Sequence, residues 1–551
     1  MSEAREKVMH RLLERQAAKY GERTYMYFEG HEYSFKDVND QANRAAAGLQ
    51  KLGVVKGDKV AVVMGNCPEY LFLHFGLAKL GAVGVPVNIF HKGEIVNYMI
   101  DHSDAVVMVM QSPFIDRLAG ILAKSTKIHS VVILEGEGEG GDERLGDRSA
   151  TVAMVKDQVS GFGKRATEWQ ELTDNDGGYS PADVLWSDPF LILYTSGTTG
   201  LSKGVLLPHN LVYCQGEHFC DWVLGQEMDE NDCVYNPKPF FHALAWHAGV
   251  SPSLLTGARM VLTRRFSASR HWDDIKRYHC TYSTAGGAVL PILQLAEPKP
   301  DDADNPLKVI FGGPSSARFC AEFEPRFGLK TTEFYGSTEV GAPTMNSLAY
   351  RKAGSCGKIH PDYLVKIVDE DGVEVGVNMP GEVLVRPLKP FTMMLGYYKM
   401  PEQTNEAWKD LWFHTGDNAR LDEEGYLHFV DRKKDALRRR GENVSSYEVE
   451  VIINSHPAVL ESAVYAVPSD LADDDDIMVS LTLKPGGSLL PEELIAYCEE
   501  RMAYFMVPRY VRFMDELPKN AVPRIEKYKL RAAGITPDSW DRDKAGYNLK
   551  R

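Results

Sequence analysis

The chain has 551 residues, 62 Lys and Arg against 77 Asp and Glu, a formal net charge of −15 and 44% hydrophobic residues. Its length corresponds to about three to four domain-sized units. Its 25% charged and 10% aromatic residues exclude a disordered chain. The acidic surplus argues against a nucleic-acid binder, although a few residues can still make one pocket locally positive. Eight cysteines without a C-x-x-C pair argue against a zinc site and fit a reduced, cytoplasmic protein. Met1 to Tyr20 mixes charged with apolar residues and reads as an amphipathic helix rather than a signal peptide. No run of 18 apolar residues exists, so no transmembrane segment is expected.

In chain order, Tyr25 to Phe35 reads as a hairpin bent at Gly30, followed by a helix from Phe35 to Leu52 that ends at Gly53. Lys59 to Met64 reads as a strand, Glu69 to Leu80 as a helix closed by Gly81, and Val83 to Val87 and His129 to Leu134 as strands. This alternation predicts an α/β fold built on largely parallel sheets. The acidic glycine-rich tract from Glu135 to Asp142 reads as a surface loop, and regular structure is expected to resume near Asp183. Acidic turns ending in Gly372 and Gly425 separate short strands and predict a more antiparallel, β-rich part. After Arg432 a helix at Ser446 to Ser455, strands at Ala463 to Val467 and Ile477 to Leu483, and a helix at Pro491 to Met502 form a compact α+β unit. The expected fold is therefore α/β, with a large N-terminal domain of several subdomains, residues 1–433, and a small mobile α+β C-terminal domain, residues 434–551.

The strongest local signal is YTSGTTGLSKGV, Tyr194 to Val205, directly after the apolar run Phe190 to Leu193. Three glycines permit close backbone approach. The hydroxyls of Thr195, Ser196, Thr198 and Thr199, the loop N–H groups and Lys203 suit a polyphosphate. The spacing is not that of a nucleotide-triphosphatase loop.

This segment resembles the signature loop of the adenylate-forming superfamily, which includes acyl-CoA synthetases, adenylation domains and beetle luciferases. Ser202 stands where that loop usually has proline. The resemblance continues, in the family's order, through PFFH ending at His242, FGGP ending at Pro314, YGSTE at Tyr335 to Glu339, GEVLVR at Gly381 to Arg386, WFHTGD ending at Asp417, and DRKKD with GENVSS from Asp431 to Ser446. The stretches Glu499 to Arg509 and Ser539 to Asp543 are similar to bacterial acyl-CoA ligases near the crotonobetaine/carnitine-CoA ligase group.

The resemblance implies a two-step reaction: ATP converts a small carboxylic acid to an acyl-adenylate with loss of pyrophosphate, and a thiol, usually coenzyme A, displaces AMP. It implies that Thr195, Ser196, Gly197, Thr198, Thr199, Gly200 and Lys203 hold the β- and γ-phosphates, with Gly313 and Pro314 beside the adenine. Tyr335 would stack on that ring, with Gly336 next to it, and Thr338 would bond the α-phosphate. Glu339 would bind Mg²⁺, a hard cation suited to oxygen ligands. Asp417 would accept from the ribose hydroxyls, and Arg432 would assist at the ribose or phosphate. Lys434 would be the hinge, and Gly441 would let the pantetheine arm pass. His242, Trp246, His247, Gly312 and Gly336, together with Thr284 to Gly287, Gly312 to Ser315 and Gly336 to Gly341, would border the acyl pocket.

One departure bears on the first step. The family's C-terminal lysine pattern, P-K-T-x-[ST]-G-K, meets LPKNAVPRIEK here, which places Arg524 where the lysine belongs. Arginine keeps the charge but not the shape. Arg524, Lys527 or Lys519 could supply the cation; an enzyme with impaired adenylation that merely binds nucleotide is the competing outcome. The resemblance is also compatible with an adenylation enzyme that loads a carrier protein and, more distantly, with a luciferase-like oxygenase. The sequence leaves the acid and a homo-oligomer open.

Overall fold

A computed structural model describes residues 6–136, 150–195, 201–284, 289–312, 317–432, 436–440, 442–469, 474–518 and 525–549. Most of the acidic glycine-rich tract therefore lies outside the described residues. None of the helices described is long and apolar enough to cross a membrane.

The N-terminal part contains two large sheets. One runs Gly396–Tyr397, Lys203–Pro208, Pro189–Thr195, Val83–Pro86, Lys59–Val63, Ala105–Gln111, Ser130–Leu134 and Arg165–Glu168 in spatial order, parallel except at its first two members. The second has Tyr282–Thr284, Val309–Gly312 and Lys330–Ser337 as parallel neighbours. Helices seal these sheets by local rules. Ser34 caps Phe35–Lys51 in a capping box with Asp37. Pro68 opens Pro68–Leu80, and Gly81, at φ 66°, closes it in the left-handed region. All but one residue of Pro68–Leu80 are buried, and a Cβ at Gly76 would sit 3.0 Å from Ala45 and from the Ala42 carbonyl. Small residues thus bring the two helices together.

The hairpin, the parallel alternation and the C-terminal α+β unit match the sequence reading closely. The expectation that regular structure resumes only near Asp183 needs correction. A helix spans Val152–Gly161, a strand Arg165–Glu168 and a short helix Trp169–Thr173. That strand is a polar sheet edge with one buried residue, so it leaves no apolar run to read. The acidic turns at Gly372 and Gly425 do join antiparallel strands.

Trp246 corrects a second expectation. It does not line a pocket: it is fully buried, packed among His74, Phe190 and Phe240, and its Nε1 donates to the Phe240 carbonyl at 2.8 Å. A bulky aromatic inside a π-helical turn faces the sheet, whereas its neighbour His247 faces the cavity.

The smaller C-terminal domain carries a four-stranded sheet, Val459–Pro468, Asp475–Leu483, Tyr510–Phe513 and Trp540–Asp541, and a two-stranded hairpin, Ala436–Arg439 with Glu442–Ser445. It packs on the N-terminal body through a shared apolar cluster in which Phe90 meets Tyr504 and Phe505. Two carboxylates, one half-buried and one buried, cross the same boundary. Glu442 accepts from His242 Nε2 at 3.0 Å. Glu448 accepts from the Ser202 N–H at 3.1 Å and contacts the Ser202 hydroxyl. Proline, usual at this position in the family that the loop resembles, has no N–H to give.

Burial pushes the Glu448 carboxyl up from 4.5 to about 7. The docked state therefore binds a proton more tightly than the undocked state, so docking strengthens as pH falls from 7 towards 4.5 and loses that contribution as pH rises through 7. An interdomain energy-transfer pair should report a docked-to-undocked ratio about tenfold higher at pH 6 than at pH 8. The Glu448→Gln variant should flatten that dependence. Trp246→Ala should cost about 3–5 kcal/mol of stability, read as a lower thermal midpoint. An unchanged midpoint with altered acid preference would instead place Trp246 in the pocket.

Candidate active site

The glycine loop joins two antiparallel strands, and Thr195 pairs with Lys203 across its base. Ser196, Gly197, Thr198, Thr199 and Gly200 lie outside the described residues, as do Gly313, Pro314, Lys434, Gly441 and Arg524. Lys203 sits on the strand that also pairs with Gly396–Tyr397, and its ammonium lies 4.6 Å from the Tyr397 ring centroid. The Tyr397 hydroxyl donates to Glu339 Oε1 at 3.1 Å. One tyrosine, nearly two hundred residues downstream of the glycine loop, thus links a loop cation to the motif carboxylate.

Glu339 occupies the turn between Lys330–Ser337 and Gly341–Met345. Two glycines make this turn possible. A Cβ at Gly336 would lie 2.0 Å from the Gly341 carbonyl oxygen, and Gly341 has φ 67° with Gln215 against it. The turn holds Gly336 and Thr338 on the wall of a cavity of about 440 Å³.

The Tyr335 hydroxyl donates to Asp417 Oδ2 at 2.9 Å, and both side chains are buried. Asp417 also pairs with Arg432 across antiparallel strands. Sequence positions 335, 417 and 432 therefore meet. Gly312 ends the strand Val309–Gly312 opposite Glu333 and is not among the cavity-lining residues. His242 and His247 both line the cavity. Lys527 does not: its ammonium is held by Glu450 at 2.7 Å and by Ser446 Oγ at 2.9 Å, within the C-terminal domain.

Several cavity residues carry no signal in the sequence. Lys238, Arg264, Arg265, Arg438 and Arg440 line it together with one carboxylate, Glu442. Burial alone would raise the Glu442 carboxyl, but His242, His91 and Lys238 hold it below its ordinary range. Burial pushes Lys238 down to about 8, with Glu442 opposing. Arg438 to Glu442 fall within the hinge motif, but nothing in the local pattern shows that this hairpin reaches a cavity of the other domain. Tyr397 has no signal beyond being aromatic.

Two places could hold a cation. Glu339 offers a carboxylate with one oxygen fixed by Tyr397 and no other hydrogen-bond partner among the described residues, a donor that suits a hard divalent ion. The buried group His218, His360 and Asp362 brings its ligand atoms within 4.8 Å. There Asp362 is engaged by His218 Nε2 and Lys389, both at 2.8 Å, and His360 Nδ1 accepts from the Asp362 N–H. Those groups satisfy one another, so this cluster reads as a buried polar network.

Family models match on both parts: the AMP-binding enzyme model over residues 13–398 and the AMP-binding enzyme C-terminal domain over residues 448–522. A crotonobetaine/carnitine–CoA ligase of Salmonella paratyphi B is 30% identical over 524 residues, covering 94% of this chain and 97% of that protein. The crystal structure of an anthranilate CoA ligase in complex with anthranoyl-AMP aligns with TM-score 0.67 at 25% identity, covering 95% of this chain and 96% of that one. A Mycobacterium tuberculosis fatty acyl CoA synthetase aligns with TM-score 0.66 at 25% identity, covering 96% and 99%. With both halves of the family matched in order and a relative 30% identical over nearly the whole chain, the chain belongs to the AMP-binding enzymes, the adenylate-forming family of acid–thiol ligases.

Proposed function

We propose that this enzyme activates a small carboxylic acid with ATP and transfers the acyl group to coenzyme A, releasing AMP and pyrophosphate. The observation that carries this reading is the C-terminal hairpin Ala436–Ser445, whose Arg438, Arg440 and Glu442 line the same cavity as Thr338 of the nucleotide motif. A cavity shared by both domains suits a reaction in which a thiol must reach an adenylate.

A carboxylate is a poor acyl donor, and adenylation gives it a good leaving group. The first step adds charge at the α-phosphorus, so the site supplies cations and donors rather than a nucleophile. Lys203 and the loop before it would hold the departing pyrophosphate. Thr338 would donate to the α-phosphate. Tyr335 and Asp417 form a hydrogen-bonded pair that would seat the adenosine, the ring against Tyr335 and the ribose hydroxyls on the Asp417 carboxylate. Glu339, fixed by Tyr397, would hold Mg²⁺, which when bound offsets phosphate charge.

In the second step the basic side chains around the cavity, Lys238, Arg265, Arg438 and Arg440 beside an Arg264 that is paired with Glu29, would favour the phosphates of free coenzyme A. A carrier-bound phosphopantetheine has fewer phosphates, so this basic lining favours the free cofactor over a carrier protein. We place the domain boundary at residues 433 and 434 and assign the present orientation to the thiol step, because the hairpin faces the cavity. All eight cysteines are buried and unpaired, which suits a reducing compartment such as the cytoplasm.

The cation of the first step falls to Arg524, because Lys527 is committed to Glu450 inside its own domain. In pyrophosphate exchange, Arg524→Ala should lose about 100-fold, the cost typical of removing one charge-stabilising donor. Thioester formation from a supplied acyl-adenylate should change little. Lys527→Ala should instead lower thermal stability and largely spare exchange; the reverse pattern would transfer the role to Lys527. Tyr397→Phe removes a hydrogen bond to a carboxylate, about 1.5–3 kcal/mol. It should raise the Mg²⁺ concentration needed for half-maximal exchange about tenfold or more, while leaving KM for the acid unchanged.

A further inference from the structure

The cavity has two chemically different ends. At one end the C-terminal hairpin and Lys238 bring charge around the Glu442–His242 pair. The other end is cut into a separate apolar cluster, where Phe219, Ala248, Phe311, Ala342 and Met345 pack together with Phe334. Its rings are flat against one another or edge-on: Phe311 stacks on Phe334 at 4.8 Å and 8°, and Phe219 meets Phe311 at 4.7 Å and 85°. Among the described residues, Glu442 is the only carboxylate lining the cavity, and it is committed to His242.

Among the described residues, the polar side chains Gln215 and His247 reach this apolar end, and they differ. Gln215 is fully used: its Oε1 accepts from the Ala342 N–H at 3.0 Å and its Nε2 donates to the Tyr363 hydroxyl at 2.9 Å. His247 also lines the cavity, and its Nε2 is buried without a hydrogen-bond partner among the described residues. Burial pushes His247 down to about 3, with His218 nearby acting in the same direction, so the imidazole is neutral at physiological pH. A buried polar nitrogen left without a partner is costly, and natural structures rarely keep one unless something supplies the missing bond.

Resting on the reading of this cavity as the acyl site, we propose that the enzyme takes an aryl carboxylic acid with an uncharged tail, and that a polar ring substituent such as a hydroxyl pairs with His247 Nε2. His247 is then a specificity-determining residue. Flat phenylalanine walls suit a ring. A neutral imidazole supplies one hydrogen bond and no counter-charge. A quaternary ammonium tail would gain only cation–π attraction from the rings, with no carboxylate to offset its desolvation. This end is therefore set against a betaine, the tail carried by the substrates that name the Salmonella relative.

The test is pyrophosphate release with coenzyme A present, using matched acids: aryl acids with and without a meta or para hydroxyl, and a trimethylammonium acid beside its neutral tert-butyl isostere. The expected result is a kcat/KM at least about tenfold higher for one hydroxylated ring than for its parent, the scale of one hydrogen bond to a buried group. The tert-butyl acid should exceed the trimethylammonium acid. In His247→Phe the ratio of kcat/KM for the hydroxylated ring to that for its parent should fall to near unity; His247→Gln, which keeps a hydrogen-bonding group, should retain part of the preference. Activation of the trimethylammonium acid above its isostere, or a hydroxyl preference undisturbed in His247→Phe, overturns the proposal and leaves acid activation standing. Silence with every acid, the wild type included, overturns the acid-activation reading and the proposal with it.

Discussion

The arrangement of the site depends on two carboxylates at a domain boundary. Glu442 and Glu448 both belong to the smaller domain; contact with the larger one buries Glu448 and half-buries Glu442. A buried carboxylate must be paired, hydrogen-bonded or protonated. Glu442 meets this requirement with His242, and Glu448 with the N–H and hydroxyl of Ser202. The two solutions differ in their electrostatics. Glu442 is held ionised by the charges around it, whereas Glu448, with neutral donors alone, is driven towards its protonated form. The same interface therefore combines a carboxylate held ionised by its basic neighbours and one whose proton uptake makes docking sensitive to pH.

These contacts decide which residues face the cavity. With Glu448 seated on the end of the glycine loop, the hairpin carrying Arg438, Arg440 and Glu442 reaches the cavity wall. Lys527 stays in its own domain with Glu450 and Ser446. An acidic chain thereby presents a locally basic opening, because Lys238, Arg265, Arg438 and Arg440 converge there from distant segments beside the Arg264–Glu29 pair. Net charge constrains the environment of the whole molecule, and the geometry of a few residues constrains its ligands.

Away from that opening the site is organised by short backbone distances and single shared partners. The turn at Gly336 to Gly341 tolerates no side chain at its first glycine, and this closeness puts Thr338 on the cavity while Glu339 points at Tyr397. Tyr397 serves the glycine loop and the carboxylate at once. Gln215 braces the Ala342 N–H and Tyr363 from behind the apolar end, which leaves His247 Nε2 without a protein partner among the described residues.

The sequence by itself determined the α/β alternation, the glycine-marked helix ends and the separate C-terminal α+β unit, and its motifs single out Thr195, Lys203, Tyr335, Glu339 and Asp417 as candidates for one site. These are legible because periodicity, caps and close-approach glycines are local, and because motif residues keep their order along the chain. Tertiary structure alone decided that Trp246 belongs to the core and His247 to the cavity, since adjacent residues in one helical turn differ only in what lies opposite them. It alone decided that Tyr397 joins Lys203 to Glu339, a strand pairing over long sequence separation that no local pattern specifies. It also gave Ser202 its meaning: in the sequence it is a missing proline, and in the fold its N–H is the donor that a buried glutamate from the other domain requires.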